Sequence, residues 1–230
     1  MAGYKMTYQF EEYPTRAALL EKLSQALIAD LRKALSRQST ISFAVPGGTT
    51  PGPIFDQLCQ SDLDWARVNI LLSDERWVPS DSPRSNTALL RNRLLVGPVE
   101  AASYVPLYAD YATPEDAMEP LSHQLKACLP LSVLLLGMGA DMHTASLFPG
   151  GDQLSFALGD SAPPLVAMRA PDAPEPRVTL SAAVLNAAQY KHLVIFGAEK
   201  RQALEQAQSL PAQEAPIMAV LAGTTVHWAD

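Results

Sequence analysis

The stretch from Leu134 to Gly150, LLLGMGADMHTASLFPG, constrains the fold of this chain more than any other. Ser132 to Leu136 is predicted to form a short buried strand, and Thr144 to Phe148 is predicted to begin a helix. Between them, Gly137 and Gly139 mark a sharp turn. Glycines let the backbone approach a ligand closely, and a helix start offers unpaired N–H groups to negative charge. The stretch therefore predicts a ligand-binding turn at the end of a strand.

The same turn contains a carboxylate and an imidazole, those of Asp141 and His143. In extended backbone the side chains of residues two apart point to the same side, so we expect these two to lie together. A histidine with a carboxylate neighbour is a common arrangement for proton transfer. The turn is therefore also the best candidate for catalysis.

A second strand and glycine loop precede this one. Thr40 to Val45 is predicted to be a buried strand, PGGTTPGP follows it, and Ile54 to Leu58 is predicted to be helical. The loop residues that would offer backbone N–H groups or hydroxyls to a phosphate are Gly47, Gly48, Thr49 and Thr50. The loop matches neither the dinucleotide fingerprint nor Walker A, and a glycine pair after a strand is more often only a turn.

A third candidate ligand-binding segment follows the strand predicted from Val68 to Ser73. Asp74, Glu75 and Arg76 come directly after it, where open α/β sheets bind ligands. Arg76 is predicted either to offer a fork of donors to substrate oxygens or to form an internal ion pair with one of the two carboxylates. Asp74 is a possible supporting residue.

Two further cations complete the candidate site. Arg177 precedes a strand predicted from Val178 to Leu180, and Lys200 lies near the start of a helix that Gly197 opens. Helix N-termini disfavour cations, so an anionic ligand beside Lys200 would explain its position. A solvated lysine on a helix surface is the alternative.

The remaining segments alternate between strands and helices. Helices are predicted from Pro14 to Arg37, from a cap at Ser85 or Asn86 through Leu95, from Pro114 to Cys128, around Val184 to Ala188, and in IMAVLAG near the C-terminus. Strands are predicted from Leu165 to Met168, from His192 to Phe196 and, as an edge strand, in TTVHWAD. This alternation predicts an open, mostly parallel sheet with helices on both faces, in a single α/β domain of residues 1–230.

Composition narrows the classes of function. The net charge of −7 argues against general affinity for nucleic acid or for an anionic membrane, so an anionic ligand must be held by a local cluster of donors. No apolar run approaches the length of a membrane span, and no basic segment followed by an apolar run opens the sequence. We expect a cytoplasmic protein. The sequence is silent on its oligomeric state.

Cysteine and histidine spacing predicts no metal site. Cys59 and Cys128 stand alone, and the histidines at 123, 143, 192 and 227 are scattered. We expect buried free thiols, a helix-surface or packing role for His123, and a packing role for His227. No metal and no cofactor are expected.

The motifs resemble those of the 6-phosphogluconolactonases. GMGADMHTASLFPG is similar to the family signature GMGxDGHTASLFPG, with Met142 in place of a glycine. PGGTTP is similar to the GGSTP loop, and DERWVPSDSPRSN to DERxVPxxHxxSN, with Ser82 in or near the place of the histidine. RVTLSAAVLNAA and GAEKRQ are similar to RxTLTxxxLNxA and GxxKA, although Arg201 replaces the last alanine. If position 142 needs a positive φ or tight packing, methionine there has a cost.

The resemblance implies a Rossmann-like fold, shared with glucosamine-6-phosphate deaminases, and a reaction. That reaction is metal-free hydrolysis of 6-phospho-D-glucono-1,5-lactone to 6-phospho-D-gluconate, the second step of the oxidative pentose phosphate pathway. His143 would be the general base for an attacking water, and Asp141 would orient its ring or hold a substrate hydroxyl. Arg177 and Lys200, with the loop from Gly47 to Thr50, would hold the 6-phosphate. The chain has no GxSxG nucleophile elbow, which agrees with direct attack by water.

Two alternatives stay open. Deaminases that act on glucosamine 6-phosphate resemble GxGxDGHxAFNEP at this turn, and HTASLFPG lacks their acidic residue after the histidine. A non-catalytic sugar-phosphate sensor would need a DNA-binding module, for which Met1 to Pro14 is too short. Met142 keeps a binding-only protein among the alternatives.

Overall fold

Ten short strands are present in a computed structural model of the protein, which describes residues 8–171 and 173–230. They are β1 (Gln9–Glu12), β2 (Ile41–Val45), β3 (Val68–Leu72), β4 (Asp74–Arg76), β5 (Ser103–Val105), β6 (Val133–Gly137), β7 (Leu165–Met168), β8 (Arg177–Leu180), β9 (Tyr190–Phe196) and β10 (Thr224–Ala229). Seven of them form a parallel sheet in the order β1-β10-β9-β6-β2-β3-β5. The other three form an antiparallel sheet in the order β4-β8-β7.

Helices connect the strands. The α-helices are α1 (Arg16–Leu35), α2 (Gly52–Leu58), α3 (Asn86–Arg93), α4 (Pro114–Leu125), α5 (Leu154–Ala157), α6 (Ala182–Asn186) and α7 (Gly197–Ala207). Short 3₁₀ helices span Trp65–Arg67, Gly97–Ala101, Lys126–Cys128 and Pro216–Ala219. Every residue of β2 is buried, and so are the first four residues of β6, which requires cover on both faces of the sheet. The predicted fold class, a mostly parallel sheet with helices on both faces, is confirmed.

The helix α1 shows why the local predictions succeeded. Thr15 caps it, because the Thr15 hydroxyl accepts a hydrogen bond of 3.1 Å from the Ala18 N–H. Leucines recur every four residues along one face, and the leucines from Leu19 to Leu31 in this series are fully buried. Ser85 likewise caps α3, as predicted.

Three predictions about secondary structure are wrong. No helix begins at Thr144 to Phe148: the segment is a tight turn, Ala145 has φ 49°, and the next helix is α5. The Thr144 hydroxyl donates to the Gly137 carbonyl at 2.9 Å, an alternative to helical hydrogen bonding. In the tail, IMAVLAG contains only a 3₁₀ helix. The strand β10 is interior, because the exposed strand β1 pairs with it and forms the edge.

Among the described residues, no helix has both the length and the apolar composition that crossing a lipid bilayer requires.

Two buried histidines link α1 to one side of the sheet, although they are far apart in the sequence. His192 Nε2 lies 3.0 Å from Asp30 Oδ2, and His192 Nδ1 lies 3.0 Å from His227 Nε2. His227 Nδ1 lies 2.8 Å from the hydroxyl of Tyr13, which also donates to Glu11. Burial, and then the neighbouring His192, lower the pKa of His227 to about 4, and Glu11 only partly opposes them. His227 is therefore neutral in the folded protein at neutral pH.

The lowered pKa of His227 makes the protein sensitive to acid. The unfolded chain binds a proton at His227 near pH 6.5, whereas the folded chain binds it near pH 4, so stability falls as the pH drops through this window. The loss of unfolding free energy from this group is roughly 3 kcal/mol at completion. We expect His227→Gln to flatten the pH dependence of urea unfolding between these limits. His123→Gln, on an exposed histidine, is the control, and an unchanged slope in the His227 variant would contradict the assignment.

Candidate active site

The candidate site lies where the strand order of the parallel sheet reverses. Strands β3 and β5, which follow β2 in the chain, lie on one side of β2. Strands β6, β9, β10 and β1 lie on its other side. Ligands of open α/β sheets bind outside the carboxyl ends of the strands at such a switch point. The loops that follow β2 and β6 line a cavity of about 440 Å³ here.

Every residue predicted for the site lines this cavity or contacts a residue that does. The predicted lining residues are Gly47, Gly48, Thr49, Thr50, Asp74, Arg76, His143, Arg177 and Lys200. Asp141 reaches it through His143: Asp141 Oδ1 lies 2.5 Å from His143 Nδ1. The tertiary structure thus brings together five segments that are distant in the sequence.

The geometry of the imidazole favours one tautomer. His143 Nδ1 faces the Asp141 carboxylate and acts as the donor, so in the neutral ring Nε2 carries the free lone pair. Burial raises the pKa of Asp141, but the hydrogen bond and charge of His143 together outweigh burial, and the pKa lies below its ordinary value. The ring packs against Phe148, with 4.8 Å between ring centroids, and 32% of the His143 side chain is exposed. A ring held in this way can take up a proton at Nε2 from a group in the cavity.

The Gly139–His143 turn, and not extended backbone, brings Asp141 and His143 together. Met142 has φ 67°, in the left-handed region that costs a residue other than glycine roughly 1–2 kcal/mol. A Cβ atom on Gly139 would lie 2.3 Å from Asp141 Oδ1 and from His143 Nδ1, so this position needs a glycine. Since no helix starts at Thr144, helix N–H groups do not favour the neutral imidazole, and Asp141 sets the tautomer instead.

The loop after β2 comes close to the cavity because of its two glycines. Gly48 has φ 82°, and a Cβ atom on Gly47 would lie 2.0 Å from Asn86 Cγ. Neither residue carries a side chain that would cover the backbone N–H groups, and Thr49 and Thr50, which follow them, also line the cavity. The loop has the donors that a phosphate requires.

Two arginines lie opposite each other in the small antiparallel sheet. Arg76 of β4 pairs with Arg177 of β8 in the ladder, and the Nε atoms of both are buried without a hydrogen-bond partner among the described residues. Burial, and next the charge of Arg76, lower the pKa of Arg177. Within residues 8–171 and 173–230, no carboxylate forms an ion pair with either guanidinium, so the alternative of an ion pair between Arg76 and Asp74 or Glu75 is not found. Two like charges are thus held side by side, facing a cavity.

Lys200 adds a third cation from the first turn of α7. Burial lowers its pKa, and the carboxylates of Glu199 and Asp141 only partly oppose this effect. The ammonium forms no ion pair with a described residue. A half-buried lysine without a counterion, together with the two arginines, makes this cavity strongly attractive to an anion.

Asp74 lies on the same wall, with 7% of the residue exposed. The Ser146 hydroxyl donates to Asp74 Oδ2 at 2.6 Å, and the Ser73 hydroxyl donates to Oδ1 at 3.2 Å. Its charge partly compensates that of Arg177.

The sequence analysis did not predict the hydrogen bonds that Glu75 makes. Its fully buried carboxylate accepts hydrogen bonds of 2.7–2.9 Å from three backbone N–H groups and two hydroxyls around the start of α3. The donors belong to Arg76, Ser85, Asn86 and Thr87. This clasp fixes Asn86, whose side chain lines the cavity and donates to the Asp74 carbonyl at 3.0 Å.

The cavity also has apolar lining that was not predicted, from Met138, Phe148 and Val194. Phe148 could have been found from its place five residues after His143; the others carry no distinctive signal. Among residues 8–171 and 173–230, no group of three or more His, Cys, Asp or Glu side chains is arranged to hold a metal ion. Cys59 and Cys128 are buried free thiols, as expected.

Comparisons with known proteins agree on one family. The sequence model of glucosamine-6-phosphate isomerases/6-phosphogluconolactonase matches residues 14–228. The chain is 38% identical to the 6-phosphogluconolactonase of Rhizobium meliloti, over 97% of this chain and 100% of that protein. It is 39% identical to that of Pseudomonas aeruginosa, over 90% and 88% of the two chains.

Solved structures give the same result. A crystal structure of a 6-phosphogluconolactonase from Shewanella baltica superposes with a TM-score of 0.94 and 33% identity, over 99% of this chain and 100% of that one. A crystal structure of a putative 6-phosphogluconolactonase from Neisseria gonorrhoeae superposes with a TM-score of 0.89 and 34% identity, over 97% of this chain and 100% of that one. With a family match over nearly all of its length, this chain belongs to the glucosamine-6-phosphate isomerase/6-phosphogluconolactonase family.

Proposed function

We propose that this protein hydrolyses 6-phospho-D-glucono-1,5-lactone to 6-phospho-D-gluconate, the second step of the oxidative pentose phosphate pathway. The observation that carries the proposal is one cavity that is lined by three cations without an ion-pair partner among the described residues and by His143, whose ring Asp141 contacts. The relatives named above are 6-phosphogluconolactonases, which favours this activity over deamination within the family. The substrate is an intracellular metabolite, and we place the reaction in the cytoplasm.

The phosphate is the natural occupant of the cationic part of the cavity. Arg76, Arg177 and Lys200 supply charge, and the loop from Gly47 to Thr50 supplies backbone and hydroxyl donors. Charge-assisted bonds to phosphate oxygens are about twice as strong as neutral ones. Binding would offset the burial of these cations, which lowers the pKa of Arg177 and of Lys200 in the free protein.

The imidazole would activate water. In the proposed step, His143 Nε2 takes a proton from a water molecule as the water oxygen forms a bond to the lactone carbonyl carbon. The carbonyl re-forms as the bond to the ring oxygen breaks, and His143 returns the proton to that oxygen. The product is the open-chain acid. A lactone is an activated ester, so no covalent enzyme intermediate is needed.

The role of Asp141 follows from its contact. Its hydrogen bond to Nδ1 holds the ring in the tautomer with Nε2 free and stabilises the imidazolium that forms during the step. We therefore assign Asp141 to orienting His143 and not to holding a substrate hydroxyl. Asp74, fixed by Ser146, is assigned to supporting the arginines.

The test is hydrolysis of freshly generated 6-phosphoglucono-δ-lactone in the presence of a chelator, with spontaneous ring opening subtracted and glucono-δ-lactone run in parallel. We expect fast turnover of the phosphorylated lactone alone. Release of ammonia from glucosamine 6-phosphate would instead identify a deaminase. Tight binding of 6-phosphogluconate without hydrolysis would identify a sensor.

Lys200→Ala should weaken binding and leave chemistry nearly unchanged. Losing one charge-assisted bond to phosphate should raise KM roughly tenfold, while kcat stays within about threefold. Steady-state kinetics on the phosphorylated lactone measure both, with Lys126→Ala on an exposed lysine as the control. A large fall in kcat at unchanged KM would show that Lys200 acts in the chemical step and not on the phosphate.

A further inference from the structure

Met142 departs from the family signature at the turn that carries the proposed base. Its φ of 67° is a conformation that glycine adopts freely and methionine does not. The protein therefore maintains a strained residue between Asp141 and His143. Strained residues persist only where their surroundings fix them, and they concentrate at functional sites.

Both backbone groups of Met142 are fixed. Its N–H donates to the Gly139 carbonyl at 3.1 Å, and its carbonyl accepts from the N–H of Ile217 at 3.1 Å. Ile217 is fully buried in the 3₁₀ helix Pro216–Ala219. The Gly139 N–H in turn donates to the His143 carbonyl at 3.0 Å, which closes the turn. The turn is thus tied to a buried part of the fold that lies outside the cavity.

The side chain supplies a second attachment. Met142 is half-buried and packs against the hydrophobic core, and it does not line the cavity. It therefore touches the protein interior and leaves the substrate space unobstructed. A glycine would lack this attachment and would also sample backbone conformations in which His143 moves away from Asp141.

From these contacts, and given the proposed function, we propose that Met142 is a positioning residue that anchors the Gly139–His143 turn and so holds the Asp141–His143 hydrogen bond in place. A catalytic pair must be held to within about 0.5 Å of its working geometry, and anchored backbone does this better than a free glycine turn. Methionine in place of the family's glycine at position 142 restricts the motion of the His143 ring. It does not disable the turn.

Three variants distinguish the effect of the apolar Met142 side chain from the effect of its backbone strain. Met142→Leu keeps an apolar anchor and a side chain at positive φ, Met142→Ala keeps only the Cβ, and Met142→Gly removes both. We expect kcat on 6-phosphoglucono-δ-lactone to fall in the order Met, Leu, Ala, Gly, by about fivefold for glycine, with KM within about twofold. A kcat for Met142→Gly at or above that of the wild type would overturn the proposal, because methionine would then be only a source of strain.

A second readout does not depend on activity. The Nδ1 proton of His143, hydrogen-bonded to Asp141, should give a protected low-field resonance in the wild type and the leucine variant. In the glycine variant it should broaden or exchange faster. Failure of the wild type to hydrolyse the lactone would refute the proposed function alone, whereas an equally protected proton in the glycine variant would refute the role of Met142.

Discussion

Replacing His143 with alanine should lower kcat for 6-phosphoglucono-δ-lactone by about 10²–10⁴-fold, the usual contribution of a positioned general base. His143 is the imidazole at the cavity wall, and its Nδ1 is already engaged by Asp141 at 2.5 Å. The alanine variant keeps the arginines, Lys200 and the glycine loop, so KM should change by less than about threefold. Stopped-flow or coupled assays at saturating lactone measure the loss.

The neighbouring carboxylate provides a graded version of this experiment. Asp141→Asn keeps a polar group of the same size but no longer favours the tautomer with Nε2 free, so kcat should fall, and by less than in the alanine variant. His123→Ala, on the exposed face of α4, should leave kcat unchanged. Wild-type turnover by His143→Ala would exclude His143 as the base.

Replacing Glu75 with alanine should lower the free energy of unfolding by roughly 3–5 kcal/mol, because several buried donors lose their acceptor together. The carboxylate is fully buried and accepts from three N–H groups and two hydroxyls at the junction of β4 and α3. Some of those donors, such as the Thr87 N–H, also contact the Ser85 hydroxyl, so α3 keeps part of its cap. Urea unfolding at pH 7 measures the difference.

The matched control is Glu119→Ala, an exposed glutamate of α4 whose loss should change the unfolding free energy by less than about 0.5 kcal/mol. Glu75→Gln retains one acceptor oxygen and should be intermediate. Because the clasp holds Asn86 and the backbone of Arg76 at the cavity, KM should also rise in the folded fraction of both Glu75 variants. A stability equal to that of the wild type would mean that water replaces the carboxylate at no cost.

The elements with strong local signals could be predicted from the sequence. Strands β2, β3 and β6 are mostly apolar, β9 ends in an apolar run, and α1 repeats leucine at helical spacing. Their own composition therefore predicts their burial. The edge strand β1 was missed because all four of its residues are exposed and only pairing with β10 makes it a strand. Thr144 to Phe148 has the composition of a helix start, yet Ala145 at φ 49° and the contact between Thr144 and Gly137 hold it as a turn.

The candidate site, too, could be predicted only in part from the sequence. Its residue types could be identified in short motifs, since glycines, a histidine with a nearby aspartate, and cations at strand and helix ends each have a local physical meaning. Their arrangement could not, because it depends on which strands are neighbours. The reversal of strand order between β2 and β6 brings the two glycine loops together, and the antiparallel ladder places Arg76 opposite Arg177.

The sequence by itself therefore determined the class of fold, the family and the chemical groups available for catalysis, because these depend on local composition and short motifs. Only the tertiary structure decided that Asp141 contacts His143 in a turn where Met142 has a positive φ. It also decided that Arg76 and Arg177 lack carboxylate partners among the described residues, and that the Glu75 carboxylate accepts hydrogen bonds at the start of α3. Each of these depends on contacts between residues that folding brings together: backbone strain held by distant hydrogen bonds, and charges placed by pairing between strands.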